Sequence, residues 1–498
     1  MNVNPITRLD YPDPDVIRVE DTYYMVSTTM HFMPGCEILQ SFDLVHWEHA
    51  TYVYETLDHT DAQQLKSGQN IYGQGMWAAS LRYHEGRFYI CFVANDTRKT
   101  YLYTSEKIDG PWKKQLIEGF YHDGSLLFDE DGRSYIVYGN DEIWITELNE
   151  DLTAPKKDGL HRLLVSDHKN PELGYEGSHI QKINGYYYIF LVHSLRDRWM
   201  RTEACFYSDS LEGEFTGGDV LCDDRGYCGQ GVAQGGIVDT PDGKWYAMLF
   251  QDSGAVGRIP ILLPVTWKDH FPFFGQNGHV PEEIEVHSTR PGYIYQPLVG
   301  SDDFCNGLLP RWQFNHDPDP RYYHLDALQG TYTITTREVC TELTQAVNTL
   351  TQRMSYPSCA AEVTVDASAL KEGDVAGLCA LQGCYAAVGI TKHHGKYEVL
   401  MLDKKEDGIL DMTEGTVVES HQMDFRLEAD FCNMKDEARC YYRVNKGDWL
   451  PIGTVHKLYF KLDHFTGCRF GLFCYAAEET GGSACFRDFK YYDVDEIS

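Results

Sequence analysis

Three acidic residues, far apart along the chain, stand at one position of a repeated pattern. They are Asp13, Asp123 and Glu176, and two further copies carry Trp77 and Gln234 at this position. Carboxyl groups that converge beside an aromatic ring are the usual equipment for cleaving glycosidic bonds: one protonates the leaving oxygen, and another activates water or attacks the sugar. The pattern therefore indicates acid–base hydrolysis of a saccharide, provided that the fold brings these side chains together.

The repeat itself predicts the element that brings them together. Nine residues after each aligned position stands a turn residue, and an aromatic strand segment follows directly. The turn residues are Thr22, Gly86, Gly132, Gly185 and Gly243. Copies spaced by roughly 45 to 65 residues, each made of strands and hairpin turns, are typical of a β-propeller. Five copies predict five blades, whose equivalent positions face the central axis.

The organisation of the chain predicts two domains. At 498 residues, the chain is longer than one hydrophobic core usually serves. The repeats occupy residues 1–298 and end in a Pro- and Gly-rich closing strand and linker. Residues 299–498 carry many short strands separated by glycine turns, which is typical of a β-sandwich. The predicted fold class is all-β, a five-bladed β-propeller followed by a β-sandwich.

The surroundings of the three acids suggest different roles. Glu176 has no acidic neighbour within three residues and follows Tyr175. A glutamate in an apolar, aromatic setting keeps its proton near neutral pH, so we expect Glu176 to be the general acid. Asp13 lies between two prolines, and a stiffly held carboxylate suits a general base that positions water. Asp123 is expected to raise the pKa of the acid and to orient it. Asp15 is expected to be structural.

Five other side chains are expected to bind substrate. Trp77 and Gln234 share the register of the acids, and Trp77 either stacks on a sugar ring or belongs to the core. Phe32 follows the first inner hairpin and is expected at the mouth of the funnel. Arg258, on the last strand of the propeller, is expected to bind a sugar hydroxyl or a carboxylate. His31 is a weaker candidate, because a hydrogen-bonded loop histidine is the alternative.

The composition limits the classes of binding partner and the cellular location that we expect. The net charge of −32 disfavours nucleic acid and anionic membrane surfaces. No apolar run is long enough to span a membrane and no signal peptide is visible, so we expect a cytoplasmic protein with a saccharide substrate. The 15 cysteines have no metal-binding spacing, which favours reduced thiols and no cysteine metal site. The oligomeric state stays open.

The sequences of the repeats resemble those of glycoside hydrolase family 43. The stretches that carry the resemblance are YPDPDVIRVEDTYYMVST, HDGSLLFDEDGRSYIVYG and YEGSHIQKINGYYYIF. The resemblance implies an inverting five-bladed enzyme that removes α-L-arabinofuranosyl or β-D-xylosyl units from plant cell-wall saccharides. It implies Asp13 as the base, Asp123 as the modulator of pKa and position, and Glu176 as the acid. DDFCNGLLPRWQFNHDPD and FRDFKYYDV resemble the concanavalin A-like sandwich of the β-xylosidase and arabinofuranosidase branch, which lends a loop to the active-site rim.

Two departures from the family pattern concern the site. Ser178 follows Gly177 where the family commonly has proline. Gln234 stands where the family commonly carries a histidine that helps to hold a calcium ion or a water cluster. Because an amide oxygen is also a calcium ligand, a structural calcium ion near the propeller axis stays an open expectation, although the reaction requires no cofactor.

These features lead to one main hypothesis and its alternatives. We expect an exo-acting, inverting glycosidase that releases terminal α-L-arabinofuranosyl residues and also β-D-xylosyl residues, with a β-1,4-xylosidase as the alternative. A non-catalytic carbohydrate-binding propeller is a second class, and it predicts that one of the acids is missing. A retaining five-bladed enzyme acting on fructosides is a third, and it predicts carboxyl groups only about 5–5.5 Å apart.

Overall fold

A five-bladed propeller forms the first part of the structure. The computed structural model describes residues 2–493. Five four-stranded antiparallel sheets follow one another along the chain. The first strand of each sheet contacts the first strands of both neighbouring sheets, and the fifth sheet returns to the first. The ring is therefore closed, and the predicted five-bladed propeller is confirmed.

Within each blade the strands pair in chain order from the axis outward. Blade one contains Asp15–Val19, Thr22–Val26, Gly35–Ser41 and Glu48–Tyr54. Blade two contains Met76–His84, Arg87–Ala94, Lys99–Ser105 and Lys113–Ile117. Blade three contains Ser125–Phe128, Ser134–Asn140, Glu142–Leu148 and His161–Ser166. Blade four contains Glu176–Ile183, Tyr186–Ser194, Arg201–Ser208 and Thr216–Leu221. Blade five contains Ala233–Asp239, Trp245–Asp252, Arg258–Lys268 and Phe271–Phe274.

The aligned glycines form the turns between the first two strands of a blade. Gly86 and Gly185 each follow a residue with positive φ, Glu85 at 48° and Asn184 at 51°. Two consecutive left-handed residues are typical of the type I′ turn, whose twist matches that of the flanking strands. No atom lies within 4 Å of a Cβ built on Gly86, so its φ of +76°, not lack of space, favours glycine there.

Apolar side chains between neighbouring blades hold the ring together. Ile38 and Phe92 are buried between blades one and two, and Tyr135 and Ile189 between blades three and four. Side chains alternate across each strand, so one face of a blade packs on each neighbour. Full burial of one such side chain contributes about 1.5–3 kcal/mol. This packing sets the distances between the inner strands that carry the candidate site.

The second part of the structure is a sandwich of two large antiparallel sheets, which confirms the predicted fold class. The nine-stranded sheet contains Phe32–Met33, Gln313–Asn315, Leu350–Arg353, Asp374–Leu381, Tyr385–His393, Lys396–Lys404, Leu410–Met412, Thr416–Val418 and Arg469–Ala476. The seven-stranded sheet contains Tyr323–Asp326, Thr331–Thr335, Ser358–Asp366, Gln422–Asp430, Glu437–Val444, Leu450–Lys457 and Ser483–Asp493.

The remaining elements are short. Asn2–Val3 pairs with Glu283–Ile284. The 3-10 turns are Lys66–Gly68, Gly254–Val256, Leu343–Gln345 and Cys432–Met434. The predicted domains, 1–298 and 299–498, include residues 1 and 494–498, which lie outside the described residues. No helix within 2–493 has the length and apolar character needed to cross a membrane.

Phe32 and His31 connect the two parts of the chain. The strand Phe32–Met33 leaves blade one and pairs with Phe314 and Asn315 at the edge of the nine-stranded sheet. The guanidinium of Arg469 lies 3.5 Å above the Phe32 ring. Both Phe32 and His31 are fully enclosed by these contacts. Because the sandwich covers the loop that carries them, neither residue is among those that line the cavity described below, and their binding of substrate stays a prediction.

Three buried histidines pack together at this junction. The ring of His31 lies 4.8 Å from that of His316 and 5.3 Å from that of His464, measured between centroids. Burial lowers the pKa of His316 to about 3 and that of His464 to about 4. The backbone N–H of Ile71 donates to Nε2 of His316, and only an unprotonated nitrogen accepts such a bond. The cluster is neutral in the folded protein.

Acidification is expected to destabilise the protein through this cluster. An unfolded histidine takes up a proton near pH 6.5, but folded His316 and His464 do not. Their contribution is therefore fully present above about pH 6.5 and falls as the pH drops toward their folded pKa values, by about 2 kcal/mol per histidine at pH 5. Urea unfolding at pH 7 and pH 5 should show about 2 kcal/mol less loss in His464→Gln than in the wild type. His287→Gln, at an exposed position, is the control, and equal losses in wild type and His464→Gln would contradict the prediction.

Candidate active site

Six of the eight predicted site residues line one cavity at the end of the propeller axis that faces the sandwich. The cavity has a volume of about 210 Å³. The six residues are Asp13, Trp77, Asp123, Glu176, Gln234 and Arg258. A wider cavity of about 430 Å³ opens at the other end of the channel. It offers no pair of carboxyl groups, because Asp239 is the one acid among its described lining residues and is bound to Arg18.

The backbone turns the candidate side chains toward the cavity. Asp13, Asp123 and Gln234 have φ values of 52°, 47° and 60°, and Gly177 has 64°. Left-handed backbone is uncommon outside glycine, costs about 1–3 kcal/mol per residue and clusters at functional sites. In blades two, four and five the pairing of the first two strands shifts register at the same level. Such β-bulges bend a strand and re-aim its side chains.

Asp13 is held through both carboxylate oxygens. Its Oδ1 accepts a hydrogen bond from Arg258 at 2.6 Å, and its Oδ2 accepts one from Thr28 Oγ1 at 2.6 Å. Because each carboxylate oxygen accepts about two hydrogen bonds, acceptor capacity remains for a water molecule. Arg258, predicted to bind a sugar hydroxyl or a carboxylate, binds this carboxylate. The arrangement suits a general base with a fixed orientation.

Arg258 is positioned in turn by Asp252, which sequence reasoning missed. Oδ1 of Asp252 accepts from Arg258 Nε at 3.2 Å, and Oδ2 accepts from Arg201 Nε at 3.1 Å. Arg201 also lines the cavity. Asp252 and Arg258 are directly opposite each other in the strand pairing of blade five. That cross-strand pair of opposite charges was the signal in the sequence that could have revealed Asp252.

Asp123 contacts the segment that carries the candidate acid. Its Oδ2 accepts a hydrogen bond from the backbone N–H of Gly177 at 2.9 Å. Ser178, the departure from the family pattern, donates from Oγ to the backbone oxygens of Asp123 at 2.5 Å and Val137 at 2.9 Å. These bonds join blades three and four beside Glu176. They support the orienting role that was predicted for Asp123.

Glu176 lies in a polar setting. Its Oε2 accepts a hydrogen bond from Asn140 Nδ2 at 3.0 Å and lies 3.5 Å from His122 Nε2. The ring of Tyr175 instead packs at the edge of Phe206, 5.4 Å between centroids. The expectation that apolar surroundings keep Glu176 protonated is therefore wrong. Sequence reasoning missed both Asn140 and His122, although His122 directly precedes Asp123.

The titratable groups of the cavity shift one another's pKa values. Burial raises the pKa of Asp123 to about 6, with the nearby carboxylates of Glu176 and Asp13 opposing the effect of His122. Burial lowers the pKa of His122, but Asp123 and Glu176 outweigh it and raise the value to about 9. Burial also raises the pKa of Glu176, yet His122 and then Arg201 bring it below its ordinary range. The neighbouring carboxyl groups thus favour the protonated form of His122 at neutral pH, beside the permanently charged Arg201 and Arg258.

Aromatic and apolar side chains close the cavity. Trp77 meets Phe465 edge to face, with 5.3 Å between the ring centroids. Phe465 and Leu462 belong to the sandwich part of the chain and line the cavity from above. Phe465 also covers the guanidinium of Arg258 at 3.8 Å. The rim loop that the family resemblance implied is therefore the segment around Leu462 and Phe465.

Gln234 is anchored to blade four. Its backbone N–H donates to a carboxylate oxygen of Glu203 at 2.7 Å, and burial raises the pKa of Glu203 well above its usual range. The side chain of Gln234 packs on Gly177, where an added Cβ would lie 2.7 Å from the amide carbon. Glycine is needed at position 177 both for this close approach and for its positive φ.

Below the cavity, an ion-paired group fills the propeller axis; it consists of Asp15, Arg82 and His179. Oδ2 of Asp15 accepts from Arg82 at 2.7 Å, and Oδ1 lies 3.0 Å from Nδ1 of His179. Arg82 also donates to oxygens of neighbouring inner strands, namely Leu126 O, Ile180 O and Ser125 Oγ. Calcium needs six to eight oxygen ligands, and here Arg82 and His179 already bind the oxygens of this group. The group plays a structural part, and a calcium ion elsewhere near the axis stays a prediction.

Replacing Asp15 with asparagine is expected to destabilise the fold. Burial raises the pKa of Asp15, but Arg82 and His179 outweigh burial and lower it to about 2. The stabilisation is present above the unfolded value near 3.9 and is lost as the pH falls toward 2. Breaking a buried ion pair from one side costs about 3–5 kcal/mol. Urea unfolding at pH 7 should show this loss, and a loss below 1 kcal/mol would contradict the structural role.

Both parts of the chain match known families. Residues 3–272 match Glycosyl hydrolases family 43, and residues 301–492 match the Beta xylosidase C-terminal Concanavalin A-like domain. A solved bifunctional GH43-CE structure from Bacteroides eggerthii is similar, with a TM-score of 0.92 and 42% identity; the match covers 99% of this chain and 64% of that one.

Two relatives of known name extend the comparison. A β-xylosidase from Formosa agariphila is 26% identical over 554 residues, which are 99% of this chain and 89% of the relative. A non-reducing end α-L-arabinofuranosidase from Bacteroides ovatus is 26% identical over 347 residues, 66% of this chain and 63% of the relative. The family 43 match covers more than half of the chain and spans the propeller that carries the cavity. The chain belongs to the glycosyl hydrolases of family 43.

Proposed function

We propose that this chain is an exo-acting, inverting glycoside hydrolase that releases terminal α-L-arabinofuranosyl and β-D-xylosyl residues from plant cell-wall saccharides. The observation that carries the proposal is the placement of Asp13 and Glu176, on blades one and four, in the lining of one cavity, with Asp123 beside the segment of Glu176. Two carboxyl groups set on different sides of a sugar are what glycoside hydrolysis requires. All three acids are present, which argues against a non-catalytic binding propeller.

Each acid has a defined task in the proposed reaction. Asp13, fixed by Arg258 and Thr28, removes a proton from a water molecule that attacks the anomeric carbon. Glu176 gives a proton to the leaving oxygen on the opposite face of the sugar. Asp123 orients the segment of Glu176 through the Gly177 amide. A water between base and sugar gives the product the opposite anomeric configuration, and it needs a carboxyl separation of about 6.5–9.5 Å.

The shape of the cavity supports exo action on one terminal sugar. Its volume of about 210 Å³ is below the roughly 300–1,000 Å³ of drug-sized ligand sites and suits a single pentose ring. Leu462 and Phe465 cover it from the sandwich, and the paired Asp15 and Arg82 fill the axis beneath. A polysaccharide chain therefore has no path through the cavity. Trp77 offers an aromatic face to the sugar.

The choice of pentose follows from the named relatives. The β-xylosidase from Formosa agariphila aligns over nearly the whole chain, which favours β-D-xylosides. The α-L-arabinofuranosidase from Bacteroides ovatus favours α-L-arabinofuranosides. We include both sugars, because they present similar hydroxyl patterns to a small pocket. A β-1,4-xylosidase acting on xylo-oligosaccharides is the second candidate, favoured by the full-length alignment.

The test measures substrate choice and stereochemistry together. The wild type is assayed on 4-nitrophenyl α-L-arabinofuranoside, 4-nitrophenyl β-D-xylopyranoside, xylobiose and sucrose. ¹H NMR early in the reaction identifies the first anomer formed. We expect hydrolysis of a pentoside with inversion and no action on sucrose. Retention would make Asp13 a nucleophile, sucrose hydrolysis would support a fructoside enzyme, and sugar binding without turnover would support a binding propeller.

A further inference from the structure

We propose that His122 supplies the proton that Glu176 delivers to the leaving oxygen, across the contact between His122 Nε2 and Glu176 Oε2. The inference rests on the proposed function and adds a residue to it. His122 acts through Glu176 and need not touch the substrate. The general acid of this site is then a histidine–glutamate pair, in place of a lone carboxylic acid in an apolar pocket.

The geometry places His122 between the two acids of the leaving-group side. Its Nε2 lies 3.5 Å from Glu176 Oε2 and 3.7 Å from Asp123 Oδ2. The side chain lines the cavity and is about one-fifth exposed. The backbone carbonyl of His122 accepts a hydrogen bond from Gly139 N–H at 3.1 Å, which holds this end of the segment in place. The imidazole is thus within reach of Glu176 and of solvent that can recharge it.

The charges around His122 favour its protonated form. Asp123 neighbours it on the same segment, Glu176 faces it from blade four, and Asp13 faces it from blade one. The positive groups nearest the acids are Arg201 and Arg258. Both share the carboxylate of Asp252, which partly neutralises them. Three carboxyl groups therefore face the imidazole, and they hold its pKa near 9 despite burial.

Substrate binding is expected to move the proton. In the free site an imidazolium faces a carboxylate. A sugar that expels water makes this ion pair less favourable than the neutral pair, because charges are costly in a dry site. The Nε2–H bond breaks, an O–H bond forms on Glu176, and a neutral imidazole remains. Glu176 then gives this proton to the leaving oxygen, Asp13 holds the proton taken from water, and solvent exchange returns both groups to their starting states.

The proposal predicts where activity is lost at alkaline pH. In the wild type the alkaline limb of kcat/KM follows His122, near pH 9. Without the imidazole the limb follows the remaining carboxyl pair of Asp123 and Glu176, whose pKa values lie below that of the imidazole even after the lowering effect of His122 is lost. We therefore expect His122→Gln to move the alkaline limb down by at least about 1 pH unit on xylobiose. The effect on 2,4-dinitrophenyl β-D-xyloside should be small, because its leaving group needs little protonation.

The experiment separates this role from a structural one. Wild type, His122→Gln and His122→Asn are compared over pH 5–10 on both substrates. His84→Gln, a histidine at the far end of the same channel, is the matched control and should keep the wild-type limb. A limb that moves only for xylobiose supports the proposal. A limb that stays near pH 9, or equal losses on both substrates with an unmoved limb, would overturn it.

A second measurement uses only the wild type, in case the variants do not fold. ¹⁵N-histidine NMR at pH 8 should show an imidazolium signal that becomes neutral when D-xylose or L-arabinose fills the site. The absence of any imidazolium at pH 8 would overturn the inference. If the wild type hydrolyses neither pentoside nor xylobiose, the proposed function itself fails. If it hydrolyses one of them with an unmoved limb in His122→Gln, only the role of His122 fails.

Discussion

Replacing Glu176 with glutamine is expected to lower kcat/KM on xylobiose by about 10²–10⁴, the range typical of a lost general acid. The amide keeps the size of the side chain and its contact with Asn140 but has no proton of the needed acidity. The loss should shrink as the leaving group improves, because a good leaving group departs without protonation. The measurement is kcat/KM on xylobiose, on the 4-nitrophenyl xyloside and on the 2,4-dinitrophenyl xyloside at pH 6.

The control for this prediction is Glu172→Gln, an exposed glutamate in the segment before blade four. It should behave like the wild type on all three substrates. A uniform loss across the leaving groups would mean that Glu176 binds or positions substrate without donating a proton. Unchanged turnover of xylobiose would remove Glu176 from the mechanism.

Replacing Asp13 with asparagine is expected to lower kcat by about 10²–10⁴ on every substrate, whatever its leaving group. The base acts on water, so the loss does not depend on how readily the glycosidic bond breaks. The substitution also deprives buried Arg258 of one of its two carboxylates, although Asp252 remains. Thermal unfolding should accompany the assay, so that lost activity is measured per folded molecule.

Azide provides a second test of Asp13, because it can replace the water molecule that this base activates. In Asp13→Ala the space of the carboxylate is free, and azide is a nucleophile that needs no base. We expect azide to restore turnover of the dinitrophenyl xyloside and to yield a xylosyl azide of inverted configuration. Glu172→Ala, at an exposed position outside the cavity, is the control and should show no azide effect. An azide product of retained configuration would show that azide attacks a covalent intermediate formed on another carboxylate, which would contradict the role of Asp13 as the base.

Particular residues show how far sequence reasoning reached. The repeat placed Asp13, Asp123 and Gln234 in one register, and all three have left-handed backbone at the cavity. In blade four the left-handed residue is Gly177, so Glu176 enters the cavity one residue before the equivalent position. A β-bulge absorbs such a one-residue difference, and an alignment based on spacing does not detect it.

The surroundings of Glu176 and Phe32 differ from the predicted ones for a physical reason. Glu176 was expected in an apolar setting because its chain neighbours are apolar or aromatic. In the structure its partners come from blade three, which is distant in sequence. Phe32 was expected at the funnel mouth, yet its strand is completed by the sandwich about 280 residues later. Neighbours in sequence do not define the surroundings of a side chain in a propeller, because its site is assembled from loops of different blades.

The sequence by itself determined the five blades, the two-part all-β architecture and the convergence of three acids with Trp77, Gln234 and Arg258. These features follow from local rules, namely strand alternation, hairpin turn residues and their repetition. Only the tertiary structure decided that Phe465 covers the cavity and that Asp252 positions Arg258. It also decided that His122 lies beside Glu176. Each of these depends on contacts between blades, between the strands of one blade or with the sandwich. Such contacts set burial and charge, which in turn decide where the transferable proton resides.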